Sequence, residues 1–151
     1  MKPYKIIRTE QADLPKILKL QYMAYQSEAR MLGDFSIPPL RQTLQEIEEE
    51  HKKGVILKAV NEAGMVIGSV RGYKNSGTLY IGKLIVHPNM QGRGIGTQLL
   101  NEIERLYPQT RYELFTSSKS ERNLQLYERL GYSRFKEKQI SDNLTFIYLE
   151  K

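Results

Sequence analysis

The chain contains no cysteine, so disulfides, thiolate metal sites and a cysteine nucleophile are excluded. It has only two histidines, His51 and His87, which are far apart and too few for a dedicated zinc site, and we expect no metal. No apolar run approaches the roughly 18 residues that a membrane span requires. The opening segment MKPYKIIRTEQ lacks the apolar middle of a signal peptide. We therefore expect a cytoplasmic protein with no membrane contact. Internal repeats, low-complexity tracts and linkers are also missing, which leaves one domain over residues 1–151. That length suffices for a core of its own.

Hydrophobic residues make up 40% of the chain and charged residues 26%, the balance of a folded globular protein. Basic residues outnumber acidic ones 23 to 17, giving a net charge of +6. The excess is dispersed, the pairs Lys52-Lys53 and Lys136/Lys138 are short, and no aromatic-basic stacking motif accompanies them. The charge supports a phosphate-bearing small molecule and gives no case for a nucleic-acid partner.

Along the chain, YKIIR (4–8) reads as a strand. Leu14, Ile17, Leu18, Tyr22 and Tyr25 then recur at helical spacing from about Asp13 into the twenties. GDFSIPPL (33–40) breaks the pattern, and Leu40, Leu44, Ile47 and His51 carry the apolar face of a second helix. Its wet side holds the i,i+4 pairs Glu48/Lys52 and Glu49/Lys53, so EEEHKK is a solvated face rather than a binding tract. VILKAV (55–60), MVIGSVRGY (65–73) and TLYIGKLIV (78–86) are strands joined by hairpin-length turns.

A third helix follows from Ile95 to Leu106, then a strand at 111–117. A short helix lies within 120–131, with Ser120 and Gly131 as its caps and Leu126 and Leu130 as the stripe facing the sheet. SRFKEK and LTFIYLE close the chain as a hairpin around SDN. The expectation is an α/β (α+β) fold: a mixed, mostly antiparallel sheet of six to seven strands with about four helices. The strand–helix–strand unit over 78–117 makes its two strands parallel neighbours.

The segment LIVHPNMQGRGIG (84–96) sits at the carboxyl end of the first of these two strands, where α/β sheets place ligands. It does not contain the G-x-x-x-x-G-K-[ST] run of a P-loop. A G-x-G-x-x-G fingerprint begun at Gly92 meets Thr97 in place of its last glycine, and one begun at Gly94 meets Leu99, which argues against a dinucleotide. What the spacing does allow is a run of backbone N–H groups, Gln91-Gly92-Arg93-Gly94-Ile95-Gly96, converging just ahead of a helix N-terminus. Such a concavity suits a diphosphate, with Arg93 available for a charge-assisted contact. A plain glycine-rich turn between strand and helix is the alternative reading.

LIVHPNMQGRGIGTQLL resembles the acetyl-CoA-binding motif of the GNAT superfamily of N-acetyltransferases. Gln91, Gly94 and Gly96 meet that family's Q/R-x-x-G-x-G/A pattern, and the order of elements from residue 4 to 149 agrees. ERNLQLYERLGY resembles the family's second signature, an asparagine and a tyrosine on the short helix before LGY. The resemblance implies acetyl-CoA as acetyl donor, with backbone groups of Leu84, Ile85 and Val86 bonded to the pantetheine arm. It also implies that Gln91, Gly92, Arg93, Gly94, Ile95, Gly96 and Thr97 cradle the pyrophosphate, that Asn123 touches the pantetheine and that Tyr127 stands near the sulfur. Asn123 and Tyr127 are i,i+4 and so share one helix face, although an amphipathic core tyrosine would show the same spacing.

The reaction implied is attack of a neutral amine on the thioester, with the Val86 N–H polarising the carbonyl and Tyr127 as general acid toward the leaving thiolate. Many relatives carry a carboxylate on the strand before the glycine turn; here Lys83 is the only charged residue of TLYIGKLIV. Glu28 is therefore the candidate base, and Tyr25, Glu28 and Asp34 are the candidate acceptor-binding residues, with the ISDN turn (140–143) as a further boundary of the pocket. Each acid reads equally as a surface charge. The partner expected is a small-molecule or peptide amine, and the exposed closing hairpin offers a homodimer contact. A catalytically inactive acetyl-CoA- or CoA-binding regulatory module of the same fold is the competing reading, since the strand carboxylate is missing.

Overall fold

A computed structural model describes residues 3–151. The chain runs as β1 (Tyr4–Arg8), α1 (Leu14–Ala24), α2 (Gln26–Leu32), α3 (Pro38–Arg41), α4 (Leu44–Lys53), β2 (Val55–Asn61), β3 (Val66–Asn75) and β4 (Thr78–Val86). It continues through α5 (Ile95–Leu106), β5 (Arg111–Ser117), α6 (Glu121–Arg129), β6 (Ser133–Ser141) and β7 (Leu144–Glu150), with short 3-10 turns at Gln11–Asp13 and Pro88–Met90. The seven strands form one sheet in the order β1-β2-β3-β4-β5-β7-β6. Every adjacent pair is antiparallel except β4–β5, the crossover pair, which is parallel as the strand–helix–strand unit requires.

Two of the expected helices are each divided, so the described residues hold six helices rather than four. Tyr25, at φ −87° and ψ 1°, ends α1, and the chain restarts as α2. The next helix divides because Thr43 begins α4 with a capping box. Its hydroxyl accepts the Glu46 N–H at 3.2 Å, and the Glu46 carboxylate accepts the Thr43 N–H at 2.9 Å. The short one-turn α3 holds Leu40, which the sequence pattern had joined to α4.

Helices cover both faces of the sheet. On one face Leu99, Leu100 and Ile103 of α5 are sealed against Leu57, Val70 and Leu79, and α6 adds Leu124 and Tyr127. On the other face Leu14 and Ile17 of α1 and Ile47 of α4 pack on Ile56 and Ile85. The stripe expected on α6 is shifted: Leu124 and Tyr127 are buried, whereas Leu126 and Leu130 are half-buried at the margin of the same core. Ser120 occupies the N-cap position without a capping hydrogen bond, and Gly131, at φ +99°, lies one residue past the C-cap Leu130. Among the described residues no helix is long and apolar enough to cross a membrane.

Candidate functional site

The parallel ladder between β4 and β5 is short. It joins Thr78, Leu79 and Tyr80 to Arg111, Tyr112 and Glu113 and then stops. Beyond it β5 continues against β7, from Leu114 to Ser117, while β4 continues against β3, so the two strands part toward their carboxyl ends. The edge of β4 from Ile81 to Val86 that faces β5 therefore has no ladder partner. Unpaired backbone groups of this kind need another hydrogen-bonding partner. Leu84, Ile85 and Val86 all lie on this edge segment.

The glycine turn continues from it. His87 caps the 3-10 turn, its Nδ1 accepting the Asn89 N–H at 3.1 Å, which makes it a turn residue. Gly92 and Gly94 adopt φ +78° and +80°, the left-handed region in which glycine alone is unstrained, and Gly94 is the N-cap of α5. The first intrahelical bond of α5 runs from Gln98 N–H to the Gly94 carbonyl at 3.1 Å, leaving the Ile95, Gly96 and Thr97 N–H groups without backbone acceptors. A methyl on Gly96 would meet Leu126, Val86 and Leu84 at no less than 3.7 Å, so packing does not demand a glycine there. The turn thus presents bare backbone donors at the positive end of a 12-residue helix. This donor set fits a diphosphate, and the open β4 edge fits an extended amide-bearing arm.

Sequence reasoning missed one cation here. Arg122, on the first turn of α6, donates to the Gln91 side-chain carbonyl at 2.8 Å, and its guanidinium lies 4.0 Å from where a Gly92 Cβ would stand. The fold brings α6 over the glycine turn, and no local pattern in SERNLQLY announces that contact. Arg93 and Ile95 border a hollow of about 400 Å³ with Tyr4 and Met90.

Asn123 reaches across from α6, its amide donating to the Thr116 hydroxyl of β5 at 3.3 Å. One turn later Tyr127 is 5% exposed, and its hydroxyl has no hydrogen-bond partner among the described residues. Burial, reinforced by the nearby Glu28 carboxylate, pushes its pKa well above that of a free tyrosine. Tyr25, at the α1–α2 junction, is raised by burial and then by Glu28 and Tyr127, with Arg71 opposing. Glu28, partly buried on α2, is raised by desolvation alone and has no ion-pair partner among the described residues. Tyr25 and Glu28, at the α1–α2 junction that the sequence did not foresee, thus stand near enough to Tyr127 for their charges to act on it and on one another.

Asp34 does not join that group. Its carboxylate accepts the Ser36 N–H at 2.8 Å and the Ser36 hydroxyl at 2.6 Å, and these bonds hold its pKa below the usual carboxylate value. The expected boundary near residues 140–143 does meet the α2 region: Asn143 donates to the Leu32 carbonyl at 3.1 Å, and Leu144 packs on Ala29, Leu32 and Ile37.

Comparison with known proteins gives a consistent result. The acetyltransferase (GNAT) family profile matches residues 15–132. The UPF0157 protein YqkA of Bacillus subtilis (strain 168) is 28% identical over 120 residues, covering 79% of this chain; the chain spans about a third (34%) of that relative's length. Among solved structures, the ribosomal-protein-S18-alanine N-acetyltransferase of Escherichia coli superposes with a TM-score of 0.79 at 13% identity, over 97% of this chain and 92% of that one. The PaiA N-acetyltransferase of Thermoplasma acidophilum, in complex with coenzyme A, gives 0.79 at 13% identity over 98% of both chains. YncA, a putative acetyltransferase of Salmonella typhimurium with its cofactor acetyl-CoA, gives 0.73 at 19% identity over 99% of this chain and 94% of that one.

Proposed function

The chain belongs to the GNAT acetyltransferase family, and from that premise we propose that it is an N-acetyltransferase moving the acetyl group of acetyl-CoA to a primary amine. The observation that carries the proposal is the joint one at the end of β4. There an unpaired strand edge runs into a glycine turn whose donors have no backbone partner among the described residues, and Tyr127 lies in the same cluster as Leu84 and Val86 of that edge.

In this reading Leu84, Ile85 and Val86 bond the pantetheine arm, and Gln91, Gly92, Arg93, Gly94, Ile95, Gly96 and Thr97 hold the pyrophosphate with help from Arg122. Asn123 flanks the arm. Acetyl-CoA supplies the activated acyl group. The Val86 N–H polarises the thioester carbonyl and stabilises the negative charge that develops on its oxygen. Glu28, with Tyr25 beside it, lines the acceptor side and takes the amine proton; its raised pKa makes it a stronger base than an exposed glutamate.

Tyr127 remains protonated through neutral pH and can donate to the departing sulfur. The two proton steps are coupled. The Glu28 charge is one of the two causes that hold the proton on Tyr127, so protonating Glu28 weakens that hold and makes Tyr127 a better acid when the leaving group needs it. Asp34, whose carboxylate is engaged by Ser36, is left out of this scheme.

The test is release of free CoA from acetyl-CoA across a panel of amines, run beside a thermal-shift titration. The account expects acetyl-CoA to stabilise the protein and at least one amine to release CoA. Stabilisation without turnover on any amine would favour the regulatory-module reading. A homodimer through the exposed β6 edge belongs to the same proposal, and a sizing measurement that returns a monomer ends that part.

A further inference from the structure

One charged side chain beside the cleft has no role in this scheme. Between β3 and β4 the register jumps: Ser69 faces Ile85 and Arg71 faces Gly82, so Lys83 and Leu84 together oppose the single residue Val70. This is a β-bulge, the device by which a strand re-aims a side chain. Lys83 carries the distortion at φ +50°, a backbone conformation uncommon for any residue other than glycine. It is half-buried and forms no ion pair or hydrogen bond among the described residues. Burial lowers its pKa, with Glu50, Arg71 and Glu46 all near enough to act on its charge.

Arg71 is its neighbour across the bulge and is 6% exposed. The Arg71 guanidinium is held by Gln21, by Gln42 at 2.8 Å and by Glu50 at 2.5 Å, and its Nε is buried without an acceptor. Glu46 is engaged by its own capping box with Thr43. Glu50 is committed to Arg71, and although Glu46 keeps its negative charge, neither carboxylate forms an ion pair with Lys83 among the described residues, so the half-buried ammonium has no direct counterion. A desolvated ammonium without a counterion is unfavourable unless something else supplies the negative charge. Arg71 also acts on Tyr25, which places the Arg71–Lys83 pair near the acceptor side of the cleft.

We propose that Lys83, backed by Arg71, receives an anionic group of the acceptor, a carboxylate or a phosphate, so that the acceptor is an amine carrying its own negative charge. The amine end then lies toward Glu28 and the anionic end on Lys83. This rests on the acetyl-transfer reading and narrows its substrate class. Lys83 takes no part in the proton transfers; it sets which amines bind.

The experiment compares kcat/KM for matched amines that differ only in the anion. The panel holds α-amino acids and their amides, ω-amino acids and alkylamines, and aminoalkyl phosphates and the corresponding amino alcohols. With the wild-type protein, members of one anionic class exceed their neutral counterparts by at least about tenfold, the size expected of one charge-assisted contact. The carboxylate and phosphate arms show which anion is read. In Lys83→Met that preference collapses toward one through a rise in KM for the anionic amine, the KM for acetyl-CoA holds, and Lys83→Arg restores the preference. Equal use of anionic and neutral amines by the wild type, or a preference that survives Lys83→Met, overturns the inference. Acetylation of no panel member while acetyl-CoA still binds overturns the acetyl-transfer reading itself and the inference with it.

Discussion

Gly94 and Gly77 allow the cost of a backbone conformation to be separated from the loss of a ligand. Both stand at φ +80°, and an added Cβ would meet no atom within 4 Å at either position. Replacing either by alanine therefore creates no clash and costs only the left-handed conformation, about 1–2 kcal/mol. For a chain of this size each kcal/mol lowers Tm by about 2–4 °C, so both variants should melt about 2–8 °C below the parent without ligand.

They differ in place. Gly77 precedes β4 and Gly94 follows it, and nine strand residues separate the two ends by about 30 Å at about 3.3 Å per residue. Acetyl-CoA at a hundred times its Kd adds about 2.7 kcal/mol to the parent. Gly77→Ala should keep that gain in full. In Gly94→Ala the methyl enters the proposed diphosphate cradle, and a tenfold weaker Kd halves the gain to about 1.4 kcal/mol. The assay is melting with and without acetyl-CoA, supported by calorimetry. Equal ligand-induced shifts in the two variants would refute the placement of the cradle at Gly94.

Tyr127→Phe should lower kcat about a hundredfold, the scale of a general acid, while calorimetric acetyl-CoA binding stays at the parent value; an unchanged kcat on an identified acceptor removes Tyr127 from the mechanism. Because burial raises the Glu28 pKa in the folded state, ionised Glu28 weighs against folding at high pH, and the penalty disappears as pH falls through the unfolded-state value. Glu28→Gln should therefore raise Tm near about pH 8, give no gain below about pH 4, and abolish the acidic limb of the pH-rate profile. A retained limb excludes Glu28 as base. Arg122→Ala should weaken acetyl-CoA binding severalfold and flatten its salt dependence; an unaltered salt slope means that Arg122 serves only to hold Gln91.

Much of the central unit was legible in the sequence because local rules and tertiary packing agree there. β4, α5 and β5 begin and end where alternation, the glycine turn and Pro108 place them. The division at Tyr25 left no mark: the apolar spacing runs through it, and neither proline nor glycine signals the break. Thr43 and Glu46 do form a capping-box pattern, but Leu40, three residues upstream of Thr43, matched the helical period and obscured the new start. Arg122 was invisible as a site residue because its role depends on how α6 crosses the glycine turn. Lys83 was visible only as a departure from a family pattern; the bulge that displaces it is set by pairing with β3, which no local spacing records.

The central claim is that acetyl-CoA lies where β4 and β5 part, held by the glycine turn. A calorimetric titration of the full chain with acetyl-CoA, repeated with Gly94→Ala, tests it most directly. The account predicts one site per chain, competition by free CoA and a clear loss of affinity in the variant. No binding heat and no competition, or binding indifferent to Gly94→Ala, would contradict it.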